Sequence, residues 1–387
     1  MNDTLILTDK KVLEQTRTML DNHLELEADG YKCASEDLLN VLLAVATDQG
    51  TIESVCAELV GTPDPQTIRN YINEQICMEE LPQLEKQLNQ ALTSKIPARV
   101  WRQARDIAMD FHDRPYYGKQ PQAEGYWVRG KAKDGTTRFY RLASAYVIVK
   151  GLRFTLAICF VLPDDDTVSV LKKLCQRVRG LYIQIRRLLL DRGFAGIDVQ
   201  VYLEKQNMPA LIACPIRGKT GGTKALCRGR QGYRTHYTFK GAPAKLHTAQ
   251  LAVCRVFTTA KRRQRLQRRA TWWIFILIHL DLSPRQVRRL YRRRFGIETS
   301  YRCAAKVRGW TTSPNAAYRF LLMALGLFLL NVWQILRWLF TQKPRRGHRL
   351  LDTQQFQLSR FAKFILHALE EFYGYVTQVT ATVSPLL

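Results

Sequence analysis

Apolar positions recur in two different rhythms along this chain. From residue 1 to about 95 they fall at helical spacing. Ser35 precedes LLNVLLAVA as a cap, and TIESVCAELVG followed by TPDPQTIRNYINEQ reads as a helix, a turn and a second helix. From about residue 100 the rhythm shortens to that of strands. The stretch ARDIAMDFHD ends a strand whose apolar part, IAMD, closes at Asp110, and FHDRPYYG looks like turn sequence. RFYRLASAYVIVKG and LRFTLAICFVL make a hairpin hinged at Gly151, and Asp164 to Asp166 cap an amphipathic helix, TVSVLKKLCQRVRGL. RRLLLDRGF is a further strand, GIDVQVYLEKQ a helix, and PALIACPIRG one more strand. That order predicts an α/β protein with a mixed sheet flanked by helices.

Between residues 217 and 270 the pattern turns polar, rich in Gly, Arg and Thr, with short alternations such as YRTHYTFKG and LAVCRVFTT. This reads as a β-rich insertion that ends in KRRQRLQRR, after which WWIFILI returns the chain to the core as a strand. Ser283 and Pro284 form an N-cap and first-turn pair opening one helix through PRQVRRLYRRRFGIETSYRCAAKVRG. Ser313 to Phe340 and Thr353 to about Tyr375 are helical. The expected division is a helical region over 1–98, a catalytic α/β domain over 99–216 and 271–341 interrupted by the insertion at 217–270, and a helical region over 342–387. The apolar run FLLMALGLFLLNVWQIL, Phe320 to Leu336, is about a turn short of a span of roughly 20 residues and includes Asn331 and Gln334. It reads as a buried core helix, packed under the catalytic sheet.

Charge sharpens the picture. The chain has 387 residues, 46% of them hydrophobic, and a net charge of +26, with a mean hydropathy of −0.22. A soluble, folded protein whose partner is a polyanion follows, with nucleic acid ahead of an acidic membrane surface. The charge is uneven: up to Arg99 there are 17 acidic and 8 basic residues, and beyond it 51 basic against 16 acidic. The polyanion therefore meets the body of the chain. A DNA-reading helix-turn-helix near the N-terminus stays open beside plain helical packing or a dimer contact, but its second helix offers only Arg69. Nine cysteines without a CxxC pair, and an opening MNDTLILTDKK without the apolar core of a signal peptide, lead to the expectation of a reduced, cytoplasmic protein.

Three acids lie where acids are unexpected: Asp110 and Asp191 at the ends of apolar strands, and Glu298 in a strongly basic helix. Singly, each reads as a cap or an ion-pair partner, Glu298 with Arg294. Together they suggest oxygen ligands for two Mg²⁺ or Mn²⁺ ions, which activate a water or a 3′-hydroxyl and stabilise the leaving oxygen of a phosphodiester. Tyr291, Arg294 and Glu298, spaced by three and four, share one helix face, while Arg285, Arg288, Arg289, Arg292 and Arg293 supply a cationic surface suited to phosphate.

At these residues the sequence resembles the DDE transposases of insertion sequences in the broad IS4 group, particularly its ISH3-like branch. The stretches that carry the resemblance are IAMDFHDRPYYG, LLLDRGF and YRRRFGIETSYR, within residues 100 to 340. The resemblance implies an RNase H-like fold with a β-rich insertion between the second Asp and the Glu. It implies Asp110, Asp191 and Glu298 as catalytic metal ligands, with Asp113 a competitor for the first, and Tyr291 and Arg294 as contacts to phosphate. The family's Lys seven residues after the Glu falls on Ala305 here. On a continuous helix Arg302 lies about 40° and Lys306 about 80° around from Glu298, so either can substitute. The implied reaction is cut-and-paste transposition, joining terminal inverted repeats to target DNA in a homodimeric synaptic complex within a prokaryotic cell. Relatives in the wider group pass through a hairpin and stack a flipped base on an aromatic. Tyr233, Tyr237, Trp272 and Trp273 are the candidates here. Two rivals stand beside this: an RNase H-like nuclease without strand transfer, and an inactive, domesticated DNA-binding transposase.

Overall fold

The structure is a computed structural model that describes residues 6–97, 100, 102–118, 125–149, 152–219, 221–242, 244–262, 265–343, 350–352 and 354–379. The side chains of residues 148, 258–269 and 342–351, and with them the cations of KRRQRLQRR, lie outside the described residues, as does Gly151. The chain divides into two compact units, one of Met1–Ile96, Tyr116–Trp127 and Ser300–Leu387, the other of Pro97–Pro115 and Val128–Thr299.

The first unit opens with α1 (Asp9–Asp21), the two-residue strands β1 (Asp29–Gly30) and β2 (Cys33–Ala34), and helices α2 (Ser35–Asp48), α3 (Ile52–Glu58), α4 (Pro65–Gln75) and α5 (Leu81–Thr93). The cap of α2 is Ala34, one residue earlier than expected: its N–H donates to the Asp37 carboxylate at 2.8 Å, while the Ser35 hydroxyl accepts from Ala28 N–H. Helix α4 opens as its sequence dictates, with Asp64 accepting from the N–H groups of Gln66 and Thr67 and Pro65 in the first turn. Arg69 on α4 is paired with Glu53 on α3.

The second unit is a nine-stranded sheet. It contains β3 (Arg105–Pro115), β4 (Val128–Lys133), β5 (Thr136–Val149), β6 (Leu152–Val161), α6 (Thr167–Gly180), β7 (Ile185–Leu190), α7 (Ile197–Lys205), β8 (Ala210–Cys214), β9 (Tyr233–Gly241), β10 (Lys245–Arg262), β11 (Arg265–Ile278) and α8 (Pro284–Tyr291). The order is β4-β5-β3-β7-β8-β11-β10-β9, with β6 also paired to β5. Strands β3, β7 and β8 run parallel, and the other pairings are antiparallel. Helix α6, capped by Asp166, packs on β5 and β6, α7 on β10 and β11, and α8 on β10. This is the mixed, helix-flanked sheet expected. Residues 233–278 extend it, because β11 pairs with β8 on one edge and β10 on the other.

Two expectations need correction here. Strand β3 does not end at Asp110: pairing with the long β5 carries it through FHDRP to Pro115, opposite Phe139. The single helix opening at Pro284 is broken, because α8 ends at Tyr291 and a 3₁₀ turn over Arg292–Arg294 precedes α9 (Phe295–Ala304).

The first unit closes with α10 (Ala316–Phe340), β12 (Gln342–Lys343), β13 (Leu350–Leu351) and α11 (Leu358–Tyr373). The expected helix from Thr353 starts only at Leu358. Twenty of the 25 residues of α10 are buried, which makes it a core helix. Within its own unit it packs on α2, α5 and α11. Asn331 donates from its amide to the Leu92 carbonyl at the end of α5, 2.9 Å away, which satisfies a polar group in the apolar helix.

Gly326 sits mid-helix on α10, where Ala would gain about 1 kcal/mol of helix propensity. A Cβ there would stand 2.9 Å from the Ala304 carbonyl oxygen and 3.2 Å from Arg308 Cβ, and overpacking of that kind costs about 1–3 kcal/mol. Gly326→Ala is expected to lower the urea midpoint; a raised midpoint would show that α10 has room for the methyl.

Candidate active site

Two strands bring the first two acids together by register. The parallel ladder between β3 and β7 ends with Met109 opposite Leu190. The next residue in the chain after each is an aspartate, Asp110 within β3 and Asp191 just past the end of β7, and equal steps from a shared register put them side by side. Asp110 is buried, and its Oδ1 accepts from Phe111 N–H at 3.0 Å.

The residues after Asp191 explain why the chain can turn there. Arg192–Phe194 form a 3₁₀ turn, and Phe194 N–H donates to the Asp191 carbonyl. Phe194 is fully buried and stacks on Phe111 with ring centroids 4.6 Å apart. A Cβ on Gly193 would stand 3.1 Å from the Phe111 ring, so Gly lets the turn press against that ring. DRGF thus pins Asp191 to the strand bearing Asp110.

Arg294 gathers the third acid. Its Nη1 donates to Asp110 Oδ2 at 2.9 Å, and its Nη2 to Asp191 Oδ1 at 3.1 Å and Glu298 Oε1 at 3.3 Å. Its Nε donates to the Tyr291 hydroxyl at 2.8 Å. The side chain is only 4% exposed, a depth at which a guanidinium needs such partners. Tyr291 is buried too, against Phe275 and Phe295, and burial pushes its hydroxyl pKa up. The 3₁₀ turn supplies the geometry, since Tyr291 ends α8, Arg294 ends the turn and Glu298 lies in the first turn of α9.

The electrostatics are those of one cation shared by three anions. Burial pushes Asp110 up to about 6; Arg294 opposes that shift and Asp191 adds to it. Burial works against the charge on Arg294, but the oxygens of Tyr291, Asp110 and Asp191 outweigh it and raise its pKa. Among the described residues no three His, Cys, Asp or Glu side chains stand close enough to share a metal ion. The three acids meet across the guanidinium instead. A cleft of about 290 Å³ opens on Asp110 and Asp191, with Asp113, Arg141, Asp165 and Gly193 also in its wall.

The remaining expected residues do not bond to Arg294. Asp113 sits in β3 directly opposite Arg141 on β5 and is held by it through two hydrogen bonds of 2.6 and 2.8 Å; it makes no hydrogen bond to Arg294. Arg302 is exposed one turn after Glu298, whereas Lys306 lies beyond the end of α9, so the helical-wheel placement of Lys306 does not apply. Tyr233, Tyr237, Trp272 and Trp273 are all half-buried on β9 and β11. Arg285, Arg289, Arg292 and Arg293 are exposed and Arg288 half-buried, so the cationic surface of this segment is real. Sequence reasoning missed Asp106, buried on β3 among three arginines. The apolar run of DIAMD, with Asp at both ends, was the available signal.

A family model described as the transposase DDE domain matches residues 101–330, which takes in all three acids. The chain belongs to the transposase DDE domain family. DDE transposases typically use divalent metals. The whole chain is also similar to a piggyBac transposase, solved by cryo-EM as a synaptic complex with hairpin DNA. The TM-score is 0.54 at 11% identity, over 95% of this chain and 77% of that one. At that identity the likeness of this DDE transposase to it is one of fold. No curated protein matches the chain in sequence.

Two outcomes follow for the transposase centre. Arg294→Gln leaves buried Asp110 without its cation, and breaking a buried pair costs on the order of 3 kcal/mol, so urea unfolding is expected to show a loss of that size. For Asp110 the raised pKa means that ionisation opposes folding: the cost is absent below the unfolded value of 3.8 and complete above about 6. Relative to the parent, the stability of Asp110→Asn should therefore improve between about pH 4 and about pH 7. A flat difference across that range would mean that Asp110 titrates normally.

Proposed function

We propose that this chain is the transposase of an insertion sequence of the IS4 group, ISH3-like branch, and that it moves the element by cut-and-paste phosphoryl transfer. The observation that carries the reading is the convergence of Asp110, Asp191 and Glu298 on a single positive charge. Three carboxylates drawn from two parallel strands and a later helix are hard oxygen donors of the class Mg²⁺ or Mn²⁺ takes, two ions in this reading, and as they stand they meet across Arg294 and do not share an ion. When bound, the metal supplies a nucleophile at neutral pH and stabilises the leaving oxygen.

The chain's own residues do the rest. Asp110, Asp191 and Glu298, which here surround Arg294, would hold the metal, and Tyr291 orients Arg294 through its hydroxyl. Arg294 keeps the acids together as anions and, with Tyr291, is the proposed contact to phosphate at the element's end. Arg302 or Lys306 takes the place of the family's lysine. The exposed arginines of the same segment bind the DNA backbone, since a guanidinium fork matches phosphate oxygens in pairs. The partners are then duplex DNA, both as terminal inverted repeats and as target, held by a homodimer in the cytoplasm at the nucleoid of a prokaryotic cell. The fold likeness to a transposase caught in a synaptic complex with hairpin DNA supports this choice of partner.

The test is cleavage of a duplex carrying the gene's flanking terminal sequence, with Mg²⁺ or Mn²⁺, by the parent and by Glu298→Gln. The parent should cut at the element's end, and the variant should be slower by roughly a hundredfold or more while still binding the duplex. Equal cleavage by both would remove Glu298 from the mechanism. Binding without cleavage by the parent would point to an inactive, DNA-binding relative.

A further inference from the structure

A second cluster of charge stands on the same strand as the first acid. Asp106 lies on β3 four residues before Asp110, and the strand's two-residue alternation aims both at one face. Asp106 is 5% exposed, yet three arginines reach it. Arg186 and Arg187 each donate from Nε at 2.8 Å, Arg187 adds a second bond at 3.3 Å, and Arg293 Nη1 stands 3.5 Å away.

Consecutive residues of a strand ordinarily point to opposite faces, so Arg186 and Arg187 need a reason to converge. The register between β3 and β7 supplies it. Arg105 pairs with Ile185 but Asp106 with Arg187, so Arg186 is the extra residue of a β-bulge. Bulges re-aim side chains and gather near functional sites. Arg293 arrives from the 3₁₀ turn, whose next residue, Arg294, reaches Asp110. One short turn thus places one guanidinium on each of the two acids of β3.

The cluster holds more cation than its anion requires. Three arginines on one aspartate leave two positive charges over, and Arg186 and Arg293 are 51% and 56% exposed. Burial pushes Asp106 up, but its bonds to Arg186 and Arg187 outweigh burial and hold it below the usual aspartate range. It therefore stays an anion at neutral pH and fixes the bases of guanidiniums whose outer edges face solvent.

We propose that Arg186, Arg187 and Arg293, positioned by Asp106, form a clamp for the phosphodiester backbone of the DNA strand that leads to Asp110, Asp191 and Glu298. The inference rests on the transposase reading and adds to it a binding site before the point of cutting. Four residues of strand span about 13 Å, the axial length of about four nucleotides. The clamp grips the backbone and reads no base.

The test is the salt dependence of binding. Anisotropy of a labelled duplex carrying the terminal sequence is followed across a salt series with the full-length parent, with Arg186→Gln/Arg293→Gln and with Arg186→Lys/Arg293→Lys. Each lost phosphate contact removes about 0.9 from the slope of log affinity against log salt. The Gln pair should thus be shallower by about 1.8, the Lys pair should restore the slope, and Asp106→Asn should shift it in the direction of the Gln pair. Loss of fold would lower active protein without changing the slope of the remainder. A parent that binds with the same slope as the Gln pair overturns the clamp alone. A parent that binds no DNA overturns the transposase reading and the clamp with it.

Discussion

The interaction on which the site depends is the burial of one guanidinium among three carboxylates. Anions repel, and a buried one tends to take up a proton; burial pushes Asp110 up to about 6. Arg294 makes the grouping tolerable because a single planar cation offers separate N–H bonds to Asp110, Asp191 and Glu298, with Nε left for Tyr291. Much of the second unit can be understood as the apparatus that delivers these four groups to one point: a parallel strand pair in register, a turn pinned by stacked rings, and a helix interrupted by a 3₁₀ turn.

The charge balance of this centre rests on a single cation among its acids. Desolvation on this scale is costly for any ion, and the tyrosine hydroxyl together with the partial exposure of Asp191 and Glu298 lets the arrangement be satisfied from two sides. Asp106 repeats the theme with the ratio reversed, one acid to three arginines. The two clusters on β3 are therefore opposite in net charge and linked by adjacent residues of one turn.

Much of this was legible in the sequence where the interaction is local. Asp191 ends its strand as LLLDRGF indicates, α6 starts at its aspartate cap, and β9 alternates residue by residue as YRTHYTFKG does. The three acids were identifiable because a carboxylate next to a buried apolar run, or amid arginines, has to be accounted for. Distant pairing was not legible. Nothing in FHDRPYYG announces that β5 is long enough to hold it extended, and the arginine run gives no sign of the 3₁₀ turn that breaks its helix. The bulge at Arg186 likewise arises from register against β3, which exists only once the two strands have met.

The continuity of β10 and β11 with the strands that carry Asp110 and Asp191 has an evolutionary consequence. Because β11 is paired at once to β8 and to β10, the far hairpin needs no hydrophobic core of its own and can lengthen or shorten by adding rungs to an existing ladder. Such changes are constrained in parity. Removing one residue from a strand would turn every side chain beyond it to the other face, whereas removing two, matched on the facing strand, would leave the pattern intact. Related chains should accordingly differ in the reach of this hairpin by even steps, with the strands that carry Asp110 and Asp191 undisturbed.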